Sequence, residues 1–97
     1  MLDSIMNPLA HVIPGALLHL LRDVPLSNGK VGFAWRAAVG PALARATHVK
    51  LEGRLLIVET TSAQWSREVM RASPVILKRL EELLGPQVVE RIEVRRA

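Results

Sequence analysis

The stretch from Leu55 to Val69, LLIVETTSAQWSREV, constrains the fold more than any other part of the chain. Its first six residues are aliphatic or β-branched with only Glu59 charged, the pattern of a strand covered on both faces. From Thr61 the repeat of two gives way to a helical repeat, with Trp65, Val69 and Ala72 on one side. Thr61 and Gln64 have the spacing of a capping box, which would occupy first-turn amides that lack a helical partner. A buried strand feeding a tryptophan-anchored helix forms a core. Nothing in it is chemically reactive.

The flanking elements follow from the same periodicities. Pro14 to about Asp23 reads as a helix with Leu17, Leu20, Leu21 and Val24 inward, and Leu18 widens that stripe beyond one core face. The surplus is available to residues 1–13, where Asn7-Pro8 has the form of a helix start, or to another molecule. Ser27 caps the next helix, which turns Val31, Ala34, Trp35 and Ala38 inward and ends at Gly40-Pro41. Gly32 in its interior costs on the order of 1 kcal/mol against alanine, which suggests that another backbone passes close by. A short helical segment over 42–46 follows.

Thr47, Val49 and Leu51 then alternate with His48, Lys50 and Glu52, a strand with one wet face, and Glu52-Gly53 turns it into Leu55–Thr60. Ser73-Pro74 is expected to end the Trp65 helix near Ala72 and to open another. That helix would bury Ile76, Leu77, Leu80, Leu83 and Leu84 and stop at Gly85-Pro86, with Lys78 and Glu82 placed to pair on its wet side. Val88 to about Arg96 alternates again, with Val88, Ile92 and Val94 inward and Val89, Arg91, Glu93 and Arg95 outward. The order α-α-β-β-α-α-β predicts one α+β domain over residues 1–97, two layers with a three-stranded sheet and helices on one face. The open side of that sheet would present His48, Lys50, Arg91 and Arg95.

Composition removes several classes of function. With no cysteine there is no disulfide framework, thiolate nucleophile or usual zinc site. The apolar N-terminus carries Asp3 where a secretion signal would be basic, and Pro14-Gly15 breaks it, so an exported protein is not expected. No apolar run approaches the roughly 20 residues of a membrane span, and a cytoplasmic, nucleoid-associated location with no membrane partner fits best. The net charge of +4 is unevenly placed: residues 30–54 hold Lys30, Arg36, Arg45, Lys50 and Arg54 against Glu52 alone. A basic middle suits an anionic partner, most readily nucleic acid, as well as it suits a solvated surface.

Catalytic constellations are not found. His11, His19 and His48 lie in no recognised motif, and Ser4, Ser27, Ser62, Ser66 and Ser73 read as caps or helix surface. His11 and His19 are poorly spaced for a metal, and Glu81 and Glu82 point apart on their helix, so neither a metal, a cofactor nor an enzyme activity is expected. Trp35 and Trp65 sit on the apolar sides of their helices, as core and not as base-stacking platforms. Arg67 and Arg71, four apart on a wet helix face, could join Arg45, Lys50 and Arg54 in tracking phosphates. Solvated charge, partly neutralised by Glu68, accounts for them equally well.

The pattern Trp35-x-x-x-Val39-Gly40-Pro41, His48, Gly53-x-Leu55-x-Ile57, Thr61-Ser62-x-x-Trp65-x-x-Glu68, Leu77-x-x-Leu80, Gly85 and Val89-x-x-Ile92 resembles the DciA-like family of bacterial proteins, from about Leu17 to Arg95. The resemblance implies a KH-like domain of the second type and a role in DNA replication, acting on the replicative helicase, assisting its loading and binding DNA. Trp35, Gly40 and Trp65 would be structural signatures. A nucleic-acid-binding KH domain sets a G-x-x-G loop between its paired helices, whereas the matching junction here reads Arg71-Ala72-Ser73-Pro74. The family's extended segment beyond the domain is not seen before Ala97, so helicase engagement is expected on the folded surface. The expectation is a non-enzymatic adaptor whose Arg45, Lys50, Arg54, Arg67, Arg71, Arg91 and Arg95 contact DNA phosphates without reading sequence. The alternative is a protein-interaction module that docks through Leu17, Leu18 and Leu21 onto the helicase or onto a second copy in a homodimer.

Overall fold

Alternating strands and capped helices assemble here into two layers, a mixed sheet and the helices that cover it. The computed structural model describes residues 14–96, without the Leu17 side chain. The expectations for residues 1–13 and for Leu17 lie outside the described residues. The elements are α1 (Gly15–Asp23), α2 (Asn28–Val39), α3 (Pro41–Arg45), β1 (Thr47–Glu52), β2 (Leu55–Thr60), α4 (Ala63–Leu84) and β3 (Arg91–Arg96). The sheet runs β1-β2-β3, with β1 antiparallel and β3 parallel to the central β2. Helices pack on one face of this mixed sheet, an α+β arrangement consistent with a KH-like fold.

Register decides which residues meet. Val49, Val58 and Val94 form one row across the three strands and Leu51, Leu56 and Ile92 the next, and both rows face the helices. Against them lie Ala34, Trp35 and Ala38 of α2, Leu43 of α3, and Val69, Ile76, Leu80 and Leu83 of α4. Each buried leucine or isoleucine stabilises by about 1.5–3 kcal/mol. Trp35 is 2% exposed; its indole N–H donates to the Thr47 hydroxyl at 2.8 Å, and that hydroxyl donates to the Leu43 carbonyl at 2.8 Å. The largest core side chain is thereby satisfied while buried. Trp65 is half-buried against the same core.

The main departure from the sequence reading is at Ser73-Pro74. No break occurs there, and α4 is one helix of 22 residues with Pro74 inside it. Val69, Ile76, Leu80 and Leu83 are buried at three-, four- and seven-residue spacings on both sides of the proline, so a single apolar stripe runs through it. Keeping four such side chains in the core outweighs the roughly 3 kcal/mol that an interior proline costs. The Met70 carbonyl, which loses its helical donor, belongs to an exposed residue that water can reach.

Smaller corrections have local causes. Ser62, not Thr61, caps α4, its hydroxyl accepting from the Trp65 amide. The hairpin turns on Gly53-Arg54, since Glu52 still pairs with Leu55 and Gly53 takes a φ of 63° that favours glycine. No backbone approaches Gly32: a Cβ there would meet nothing within 4 Å. The last strand begins at Arg91, and Val89, expected outward, is half-buried against the core. Leu20 and Val24, expected inward, are exposed. Lys78 and Glu82 do not pair among the described residues; the Glu82 carbonyl instead accepts from the Arg22 guanidinium at 2.8 Å.

That last bond belongs to a closed set. Lys30 of α2 donates to the Val24 carbonyl at the end of α1, Arg79 of α4 donates to the Ala38 carbonyl at the end of α2, and Arg22 of α1 donates to the end of α4. Each of the three longer helices thus places a cation on the unpaired C-terminal carbonyls of the next, where the helix dipole also favours positive charge. These cations hold the helical layer together.

Candidate functional site

The seven cations expected on the DNA surface separate into groups. On the open side of the sheet three rows cross the strands: Glu52–Leu55–Arg91, Lys50–Ile57–Glu93 and His48–Glu59–Arg95. Lys50, Arg91 and Arg95 therefore share that face as expected, with His48. Glu52, Glu59 and Glu93 share it too, a balance of three positive and three negative groups that the alternation in single strands did not disclose. Lys50 pairs with Glu52 at 3.0 Å and Arg95 with Glu93. A shallow concavity of about 480 Å³ lies among His48, Lys50, Glu52, Ile57, Glu59 and Arg95. Its centre, Ile57, is only 4% exposed although it belongs to no helix-facing row, because long charged neighbours cover it.

Arg54 sits in the hairpin turn with Glu90 at 3.9 Å, and its carbonyl accepts from the Glu90 amide at 2.7 Å. Arg91, exposed and engaging no carboxylate among the described residues, follows at the same end of the sheet. Arg71 lies on α4 beside Glu68 at 3.8 Å. The pairs at Lys50, Arg54, Arg71 and Arg95 are exposed and individually worth about 0–1 kcal/mol, but each offsets the charge a polyanion would meet.

The opposite end of the sheet is different. There Thr47, Thr60 and Arg96 lie side by side, Arg45 precedes β1 by two residues, and Arg67 stands one turn into the helix that leaves β2. Arg45, Arg67 and Arg96 are exposed and engage no carboxylate among the described residues. Arg96 was not among the expected contacts. The sequence signal for it is the doublet Arg95-Arg96, one member on each face of an end-of-strand pair. Strands of six residues set this end roughly 17 Å from Arg54 and Arg91.

Two of the leucines expected at a docking surface, Leu18 and Leu21, face the interior. Leu21 is in the core and Leu18 packs against it. The exposed apolar positions here are Leu20 of α1, Val24 and Leu26 of the connection and Phe33 of α2, whose ring carries the Arg36 guanidinium 6.0 Å from its centroid. Among the described residues no three His, Asp or Glu converge as a metal set, and no helix is long and apolar enough to cross a membrane.

The fold is thus a two-layer α+β module with a charged open sheet face and an apolar groove beside its first two helices. Residues 8–94 match the family model described as "Dna[CI] antecedent, DciA", and the chain belongs to that family. The family's role relates to helicase loading in replication, as a loader or adaptor associated with the replicative helicase. No curated protein sequence matches the chain.

Proposed function

We propose that this protein is a non-enzymatic adaptor in bacterial DNA replication that grips the DNA backbone while acting on the replicative helicase. The observation that carries the reading is the grouping of Arg45, Arg67 and Arg96 at one end of the sheet, free of carboxylate partners among the described residues. Cations so placed meet phosphates without facing base edges in any fixed register, so binding is independent of sequence. The glycine-bearing loop of nucleic-acid-binding KH domains has its counterpart inside the continuous helix α4, so the strand follows a different path from the usual KH groove. The open sheet face, with its alternating charges, suits a protein partner of complementary alternation better than a polyanion.

The test is a titration of the full chain against single- and double-stranded DNA at several salt concentrations, with and without the replicative helicase. Affinity should fall with salt at a slope of about 0.9 per phosphate contact on duplex, and the helicase should co-purify with the chain. Absence of binding at low salt, or binding indifferent to salt, would reject the DNA contact. A chain that fails to retain the helicase would reject the adaptor role.

A further inference from the structure

The open face of the sheet carries its charges in an order that a second copy of the same face complements. From β1 to β3 its rows read Glu52–Leu55–Arg91, Lys50–Ile57–Glu93 and His48–Glu59–Arg95. In the first two rows, opposite charges flank an apolar centre. Ile57 is 4% exposed yet takes no part in the core cluster beneath the helices, so its shielding comes from the charged side chains around it. Lys50 and Arg95 reach Glu52 and Glu93 within the chain, in exposed pairs that rearrange at little cost. Arg91 is exposed and reaches no carboxylate among the described residues.

We infer that two copies of this chain associate through this face, about a two-fold axis that lies between the sheets and runs parallel to β2. Rotation about that axis keeps each residue at its level along the strand and exchanges β1 with β3. Lys50 then faces Glu93 of the second copy, Glu52 faces Arg91 of the second copy, and symmetry makes each contact twice. Leu55 and Ile57 lie near the axis and face their own counterparts, a small apolar centre inside a charged rim. Face-to-face sheets sit about 10 Å apart, a gap that a lysine and a glutamate bridge together. The third row contributes least, since Glu59 meets its counterpart and His48 meets Arg95. An axis across the strands would instead set Lys50 on Lys50, Glu93 on Glu93 and Arg91 on Arg95, and these like charges reject it. Three strands of six residues give a face of roughly 20 Å by 15 Å, so the interface belongs to the small class below about 1,200 Å² that associates weakly and transiently. This inference rests on the reading of the open face as a protein-binding surface and adds the identity of its occupant.

Sedimentation equilibrium of the full chain at low salt, from about 10 μM to about 1 mM, covers the range of weak association. The chain is expected to pass from monomer towards dimer over that range, and to associate at least about tenfold more weakly at high salt. Lys50→Glu and Glu93→Lys each set like charges at both symmetry-related contacts, so each variant alone should associate at least about tenfold more weakly than the wild type. Mixed one to one, the two variants again oppose unlike charges at both contacts, and the mixture should associate where neither does alone. Damage to the fold would not be repaired by mixing. A wild-type chain that stays monomeric throughout overturns the inference, and so does a mixture no better associated than its components. Retention of the replicative helicase by Lys50→Glu separates this failure from that of the underlying reading. A monomeric chain whose retention is lost in Lys50→Glu overturns the dimer but keeps the face as a protein surface, whereas unchanged retention removes both.

Discussion

The Arg79 guanidinium donates to the Ala38 carbonyl at 2.8 Å, joining the C-terminal half of α4 to the last turn of α2. The bond closes the cycle in which Lys30, Arg79 and Arg22 each terminate a neighbouring helix. Arg79 is half-buried, so its removal leaves carbonyls at the end of α2 short of a donor that water only partly replaces. Arg79→Met should lower stability by about 1.5–3 kcal/mol. Urea denaturation measures this directly, and a change within about 0.5 kcal/mol, the range of an ordinary surface substitution, would show that the bond does not stabilise α2.

Thr47 sits between the Trp35 indole and the Leu43 carbonyl, accepting from one and donating to the other. Thr47→Val keeps the shape and removes both bonds, leaving a buried indole N–H unpaired. A loss of about 1–3 kcal/mol is expected, together with a shift in tryptophan fluorescence. Equal stability of the two proteins would mean that water reaches the indole.

Gly32 lies in the middle of α2 with open space where a Cβ would be. Nothing structural requires glycine there, so Gly32→Ala should raise stability by about 0.5–1 kcal/mol through helix propensity and a less flexible unfolded chain. A destabilised variant would point to an interaction outside the described residues.

Much of this fold is readable from single residues because the signals are local. Ser27, Gly40-Pro41 and Gly85-Pro86 mark ends that hydrogen bonding within one turn decides, and β1 alternates because one of its faces is wet. Pro74 misleads for the opposite reason. A proline normally stops a helix through its own ring, and only the packing of Val69 and Ile76 against the same core carries the helix across it. Leu20 and Leu21 are equivalent by composition, and the position of α4 selects which is buried. The candidate site is less readable still. Lys50 looks cationic along its strand, but register brings Glu93 into its row from a strand about forty residues away in sequence. Arg96 looks like the end of the chain until pairing sets it next to Thr60.

Pro74 also supports a quantitative test. If continuous burial outweighs the ring's cost, restoring an amide at this position should add stability without altering the fold. Pro74→Ala is expected to stabilise by up to about 3 kcal/mol, read as a higher denaturation midpoint with an unchanged slope. A lower midpoint would mean that Pro74 itself helps to keep Val69 and Ile76 in one core.

The two ends of the sheet should differ in DNA binding. Arg45, Arg67 and Arg96 engage no carboxylate among the described residues, whereas at the hairpin end Arg54 stands beside Glu90 and Lys50 beside Glu52. Phosphate contacts made by unpaired cations release counterions in full, while a paired cation must first give up its carboxylate. Replacing Arg45, Arg67 and Arg96 together by alanine should therefore flatten the salt dependence on duplex by about 2–3 units of slope, roughly 0.9 for each phosphate no longer neutralised. All three are exposed, so stability should move by no more than about 0.5 kcal/mol per site. Replacement of Lys50 and Arg54 by alanine should leave the slope nearly unchanged. An equal flattening in the two variants would spread DNA binding over the whole sheet, and a flattening confined to the Lys50 and Arg54 variant would move it to the hairpin end.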